Sequence, residues 1–179
     1  MMDASTVPAR PWARRPAAVL LIALGLAALG LGHAAGKDVV GSDAPDFALR
    51  SLAGPNVRLS EQRGDVVVVA FWSSRCNPCR TQLAELDRLY ATYRPAGFVA
   101  FAVNVDDDAA KAREFALAQH LQIPMLFDPS KAVARAYRVD ALPMLFAIDR
   151  FGKVRFISRS DKPAADGEYL GPLRKLIDE

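Results

Sequence analysis

The chain has 179 residues, 51% of them apolar and 24% charged: material for one domain with a short extra segment and a real core, which excludes intrinsic disorder. A single long uncharged stretch excludes a multi-pass membrane protein. The formal charge is +3, but Arg10, Arg14 and Arg15 among the 23 basic residues and Asp3 among the 20 acidic ones lie in the first 35, leaving 20 against 19, so the folded part offers no electrostatic case for nucleic acid or anionic lipid.

Residues 1–35 read as an export leader and 36–179 as the folded domain. Pro16 to Gly32 is 17 residues without a charge, directly after Arg14-Arg15, the basic-then-apolar order of an export signal. Small residues at Gly32 and Ala34 suit a signal peptidase. Seventeen residues also reach the lower limit of a membrane span, so a retained anchor with its arginines in the cytoplasm is an equal alternative. Either way the domain is expected outside the cytoplasm, in a periplasm-like compartment, tethered to the cytoplasmic membrane if the leader stays. No cysteine follows the run, which argues against a lipoprotein.

Ala35 to Asp43 is the one linker candidate. Short apolar pieces at Phe47 to Leu49 and Val57 to Leu59, with Gly54 and Pro55 between them, predict a hairpin. Asp65 to Trp72 is a continuous β-branched and aromatic run, the pattern of a strand covered on both faces. Asn77 to Tyr93 carries Leu83, Leu86, Leu89, Tyr90 and Tyr93 at helical spacing. Phe98 to Val105 predicts a second buried strand. Asp106-Asp107-Asp108 follows, read as the cap of a helix from Ala109 to Leu121 rather than a hard-metal site. A strand over Ile123 to Phe127, a helix over Ser130 to Tyr137, a hairpin of Leu142 to Ile148 with Val154 to Ser158, and a helix over Glu168 to Ile177 complete the chain. The fold class is α/β: a mixed sheet flanked by helices, with an N-terminal hairpin and a central αβ insertion.

The two cysteines, Cys76 and Cys79, form a C-x-x-C pair with Asn77-Pro78 between them, where a buried strand gives way to a helix. Cys76 falls at the helix N-terminus, where free amides and the dipole favour a thiolate over a thiol. Arg75 and Arg80 add cationic stabilisation if they turn toward the sulfur. Cys79, one turn inside, is expected to be more buried and to keep its proton longer. Pro78 suits the first turn, where its missing N–H costs nothing. Outside the cytoplasm such a pair rests as a disulfide unless electrons are supplied. As a purely structural bridge it would close too small a loop to constrain the unfolded chain much. A metal site needs more ligands; His120, the only histidine of the folded part, reads as a capping or surface residue, and Met144 is the most plausible soft neighbour. A peroxidase needs a proline where Val69 stands, although Ser73 suits the second position it requires. No metal and no cofactor beyond the redox disulfide is expected.

These residues resemble the thioredoxin superfamily, and within it the exported or membrane-tethered thiol-disulfide oxidoreductases of the TlpA/ResA type. The likeness runs from about Ala44 to Gly152: the Ala44-Pro45-Asp46-Phe47 opening, Phe71-Trp72 ahead of Cys76-Asn77-Pro78-Cys79-Arg80, the αβ insertion, and Leu142-Pro143 before the strand ending Ile148-Asp149. The resemblance implies that Pro143 is a cis-proline beside the disulfide, that Leu142 offers backbone groups to an extended client segment, and that Trp72, Arg75, Leu142 and Pro143 form the contact surface. It further implies a protein disulfide reductase acting on extracytoplasmic clients, for example apocytochromes c during maturation, with electrons from a membrane donor. Three departures stand out. Arg75 replaces a usual tryptophan. Gln82 replaces a glutamate that assists proton transfer, and Glu85 lies about 240° around the helix from Cys79 while Ala70 occupies the place of the buried acid of thioredoxins. Met144 replaces a threonine, which predicts a more apolar groove. A thiol oxidase, and a redox-inert or metal-delivering binding module, are the rival readings.

Overall fold

The computed structural model describes residues 39–159 and 169–179; the expected leader, its export role and the expected linker before residue 39 lie outside them. In chain order the strands are β1 (Ala48–Ser51), β2 (Asn56–Arg58), β3 (Val66–Trp72), β4 (Phe98–Asn104), β5 (Met125–Phe127), β6 (Met144–Ile148) and β7 (Val154–Arg159). The helices are α1 (Asn77–Tyr93), α2 (Ala109–Gln119), α3 (Ala132–Ala136) and α4 (Leu170–Asp178). The strands form one mixed sheet in the order β2-β1-β5-β4-β3-β6-β7.

Every residue of β3 is buried, as its unbroken apolar run requires. It runs parallel to β4 through α1, from Val66↔Phe98 to Trp72↔Asn104, and antiparallel to β6. Because side chains alternate along a strand, its residues feed two cores. Val66, Val68, Ala70 and Trp72 meet Leu83, Leu86 and Leu89 of α1 and Leu173, Leu176 and Ile177 of α4. Val67, Val69 and Phe71 meet Phe101, Tyr137, Met144 and Phe146 on the other side. Burying each such valine stabilises the fold by roughly 1.5–3 kcal/mol in transfer terms. The central αβ insertion, α2 and β5, is confirmed: β5 joins the sheet parallel to β4 and antiparallel to β1, and so links the hairpin to the centre.

The described part of the expected linker is not a free tether. Gly41 N donates to the Val154 carbonyl at 2.7 Å, Val154 N to that of Ser42 at 3.0 Å, and Asp43 bridges to Lys153, so residues 39–43 lie along the start of β7. Two predicted helices are shorter than their patterns, for local reasons. α2 stops at Gln119 because His120 adopts a left-handed conformation, φ 52°, and stands exposed as anticipated. α3 starts late because Lys131 is also left-handed and the buried Asp128 carboxylate takes the amides of Ala132 and Ala134.

At the start of α4, the Tyr169 hydroxyl donates to Glu85 Oε2 at 2.6 Å. Burial and then this hydrogen bond push the phenol above its ordinary value of 10.0. A raised folded value means that the contribution is complete below pH 10 and is lost as pH rises beyond it. Tyr169→Phe is therefore expected to cost about 1.5–3 kcal/mol near neutrality, as a charge-assisted hydrogen bond does, and to flatten the loss of stability above pH 10. Urea melts at pH 7 and at a series of alkaline pH values check both.

Candidate active site

β3 ends at Trp72, level with the end of β4 at Asn104, and the loop that follows is held at Ser74 from the residues after β4. Val105 N donates to the Trp72 carbonyl at 3.0 Å. Ser74 N donates to Asp106 Oδ2 at 2.8 Å, and the same oxygen accepts from Asn104 Nδ2 at 2.9 Å. Asp106 is only 7% exposed. The aspartate run is thus divided among three tasks, not one cap. Asp108 alone caps α2, accepting from the amides of Ala110 and Lys111. Asp107 pairs with Lys131 at 2.6 Å, and that hydrogen bond, first, with the lysine's charge holds its carboxyl below the usual range. Asp106 fastens the loop ahead of the cysteines.

That loop delivers Cys76 to the N-cap of α1, where its Sγ accepts from Cys79 N at 3.2 Å. Cys76 and Cys79 are joined as a disulfide with Cα atoms 5.3 Å apart. Their surroundings differ as the spacing predicts: Cys79 is 1% exposed, whereas Cys76 is half-buried and reaches the surface. When the bond opens, the outer sulfur lies where amides and dipole stabilise negative charge, and the inner one lies against the core.

Arg80 does not turn toward the sulfur. Its guanidinium sits 4.8 Å above the Phe115 ring, which packs 5.2 Å from Trp72. Trp72, expected at the contact surface, is 1% exposed; sealed between the sheet and Phe115, it supports the loop from beneath and has no face to offer a partner. Phe115 and Asp106 were not singled out by sequence reasoning. Asp106 was hidden in a run that reads as a cap, and Phe115 carries no local signal, since its contact crosses from α2.

The Leu142–Pro143 peptide bond is cis, Pro143 is buried and Leu142 half-buried. Between this turn and the cysteine loop runs an open groove of about 680 Å³, bordered by Ser73, Arg75, Asp107, Lys131, Arg135 and Leu142. Met144 does not reach this groove, being fully buried in the core beside Phe71; the lining combines the apolar Val105, Ala134, Val139, Ala141 and Leu142 with charged side chains of both signs. Gln82, one turn beyond Cys79, is 2% exposed, and among the described residues its Nε2 and Trp72 Nε1 are buried polar atoms without a hydrogen-bond partner. Glu85 is engaged by Tyr169. Val69 is fully buried in the middle of β3, so no loop exists where a peroxidase proline would sit.

This fold, with a C-x-x-C pair where a central strand meets a helix, defines a thioredoxin-fold protein of thiol-disulfide exchange. The chain belongs to the AhpC/TSA family, whose profile matches residues 40–157. The Thiol-disulfide oxidoreductase ResA of Geobacillus kaustophilus (strain HTA426) is 39% identical over 118 residues, 66% of this chain and 68% of that one. That of Bacillus subtilis (strain 168) is 33% identical over 138 residues, 76% of each. A crystal structure described as a thiol:disulfide interchange protein DsbE, from Chlorobium tepidum, matches with a TM-score of 0.71 at 36% identity, covering 77% of this chain and 96% of that one. The activity of the chain is accordingly that of a thiol-disulfide oxidoreductase similar to ResA.

Asp106→Ala leaves the Ser74 amide and the buried Asn104 amide without their acceptor, which should cost about 2–4 kcal/mol at roughly 1–2 each. Chemical denaturation of the oxidised protein measures this, and Asp106→Asn, which keeps one oxygen, should lose less.

Proposed function

We propose that the chain is an exported protein-disulfide reductase in which Cys76 attacks and Cys79 resolves. The observation that carries this reading is the asymmetry of the two sulfurs, one half-exposed on the N-cap of α1 and one sealed a turn deeper. In the reduced protein the Cys76 thiolate attacks a client sulfur; the client disulfide breaks and its other sulfur leaves as a thiolate that takes up a proton. Cys79, giving up its proton, then attacks Cys76 Sγ; the mixed disulfide breaks, the client leaves with two electrons and two thiols, and Cys76–Cys79 closes. A membrane electron donor reopens it. No group beyond the disulfide is needed for this exchange.

Arg75 and Leu142, on the border of the groove, and Pro143 beside it are the proposed client contacts, with apocytochromes c awaiting haem as the proposed client class. The basic-then-apolar leader supports export, either cleaved or kept as an anchor. Among the described residues no helix is long and apolar enough to cross a membrane, which leaves any attachment to residues outside them. Gln82, a turn beyond Cys79, is neutral and cannot take its proton, which favours slow resolution and a long-lived mixed disulfide.

Cys79→Ser should therefore accumulate client proteins on Cys76 as adducts released by dithiothreitol. Equilibration with glutathione buffers should place the potential below about −230 mV, on the reductant side of the glutaredoxins. A value near −120 mV, typical of a strong oxidant, would reverse the proposed direction, and an absence of adducts would count against protein clients.

A further inference from the structure

The groove beside Cys76 is bordered by three cations, Arg75, Lys131 and Arg135, and by three carboxylates, Asp106, Asp107 and Asp140, so its charges balance in number but not in pairing. Two of the carboxylates are held by cations, and the third, only 7% exposed, is turned to amides. Asp107 holds Lys131 at 2.6 Å, Asp140 holds Arg159 at 3.4 Å, and Asp106 takes the Ser74 and Asn104 amides. Two exposed guanidiniums on the same border, Arg75 and Arg135, have no carboxylate within 4.0 Å among the described residues. Arg135 Nη1 donates to the Ser130 carbonyl at 2.8 Å, which steadies the side chain without neutralising it and leaves other donors open. The charge of Arg75 reaches Asp107, but Lys131 already occupies that carboxylate.

Resting on the reductase reading above, we propose that this groove selects client segments carrying Asp or Glu next to the reacting cysteine, with Arg75 and Arg135 as the specificity-determining residues. The lining joins Ser73 and Arg75 of the cysteine loop with Lys131, Arg135 and Leu142, so a client segment held there while its cysteine meets Cys76 brings flanking side chains within reach of the two guanidiniums. Arg–carboxylate geometry suits a two-pronged contact. Opposite charge also raises the rate of encounter, which is the step that discriminates when the chemistry is common to all cysteines. A Lys or Arg at the same flanking positions is disfavoured by like charge at the two guanidiniums.

The test uses the reduced full-length protein and three peptides that differ only in the residues flanking one cysteine: Glu, Gln or Lys. Each cysteine is joined to thionitrobenzoate. Attack of the Cys76 thiolate on the peptide sulfur breaks that disulfide and expels the coloured thionitrobenzoate anion, which reports the second-order rate. At low salt the Glu peptide should react about fivefold faster than the Gln peptide, as two exposed charge pairs allow, and the Lys peptide slowest. At about 0.5 M salt the spread should collapse, because screening acts within a few ångströms there. Arg135→Gln should cut the Glu-to-Gln ratio to about twofold, while Arg135→Lys restores most of it; the ratio is insensitive to any change in Cys76 reactivity. Equal rates for the three peptides at low salt, or a ratio unmoved by Arg135→Gln, would overturn the assignment of the groove while leaving the reductase reading intact. Failure of every peptide, with a small-thiol disulfide of thionitrobenzoate still reacting, would overturn both.

Discussion

An α-helix begins with amides that no carbonyl inside it can reach, and here a sulfur takes the place that Ser, Thr, Asp or Asn usually fills. The contact from Cys79 N to Cys76 Sγ makes the cap and the reacting atom the same atom. The same amides that hold the start of α1 together are therefore the ones that stabilise charge on sulfur once the disulfide opens. Stability and reactivity cannot be tuned separately at this position. A hydroxyl would cap the helix and end the chemistry.

The cap forms only because the chain before it is held in place. β3 is buried on both faces and cannot move, so Trp72 fixes where the strand ends. The next residues would otherwise be a short exposed loop. Asp106 prevents this by reaching back from the end of β4 to the Ser74 amide, using the parallel pairing that puts Trp72 beside Asn104. Phe115 closes the other side, in contact with both Trp72 and the Arg80 guanidinium. The cysteine pair thus rests on contacts from β3, β4, α1 and α2, and the αβ insertion belongs to the site as well as to the sheet.

Where an element's own residues determine it, the sequence was readable. The apolar run of β3, the leucine spacing of α1 and the proline in its first turn are local patterns, and the contrast between Cys76 and Cys79 follows from one turn of helix. What escaped depends on long-range pairing. Asp106 and Asp108 are two residues apart and chemically identical, yet one faces a strand end across the sheet and the other a helix start. Phe115 matters through a ring contributed by a residue 43 positions earlier. Met144 was misplaced because strand alternation decides which core receives it, and that phase is set by pairing with Phe71. Residues 39–43 looked like a tether because Gly, Ser and Asp say nothing of the β7 backbone on which they lie.

The replacement of an aromatic residue by Arg75 has to be weighed with Gln82. Arg75 stands exposed next to the N-cap, where the helix dipole favours negative charge. Gln82 supplies no charge and no proton acceptor near the inner sulfur, and its Nε2 is left without a partner in the core. On the reductase reading proposed above, a resolving thiol with no titratable neighbour one turn away makes release of the client the slower step. An exchange protein built this way gains from choosing the client before the mixed disulfide forms, because a wrong partner is held as long as a right one. The charges bordering the groove act at that earlier step.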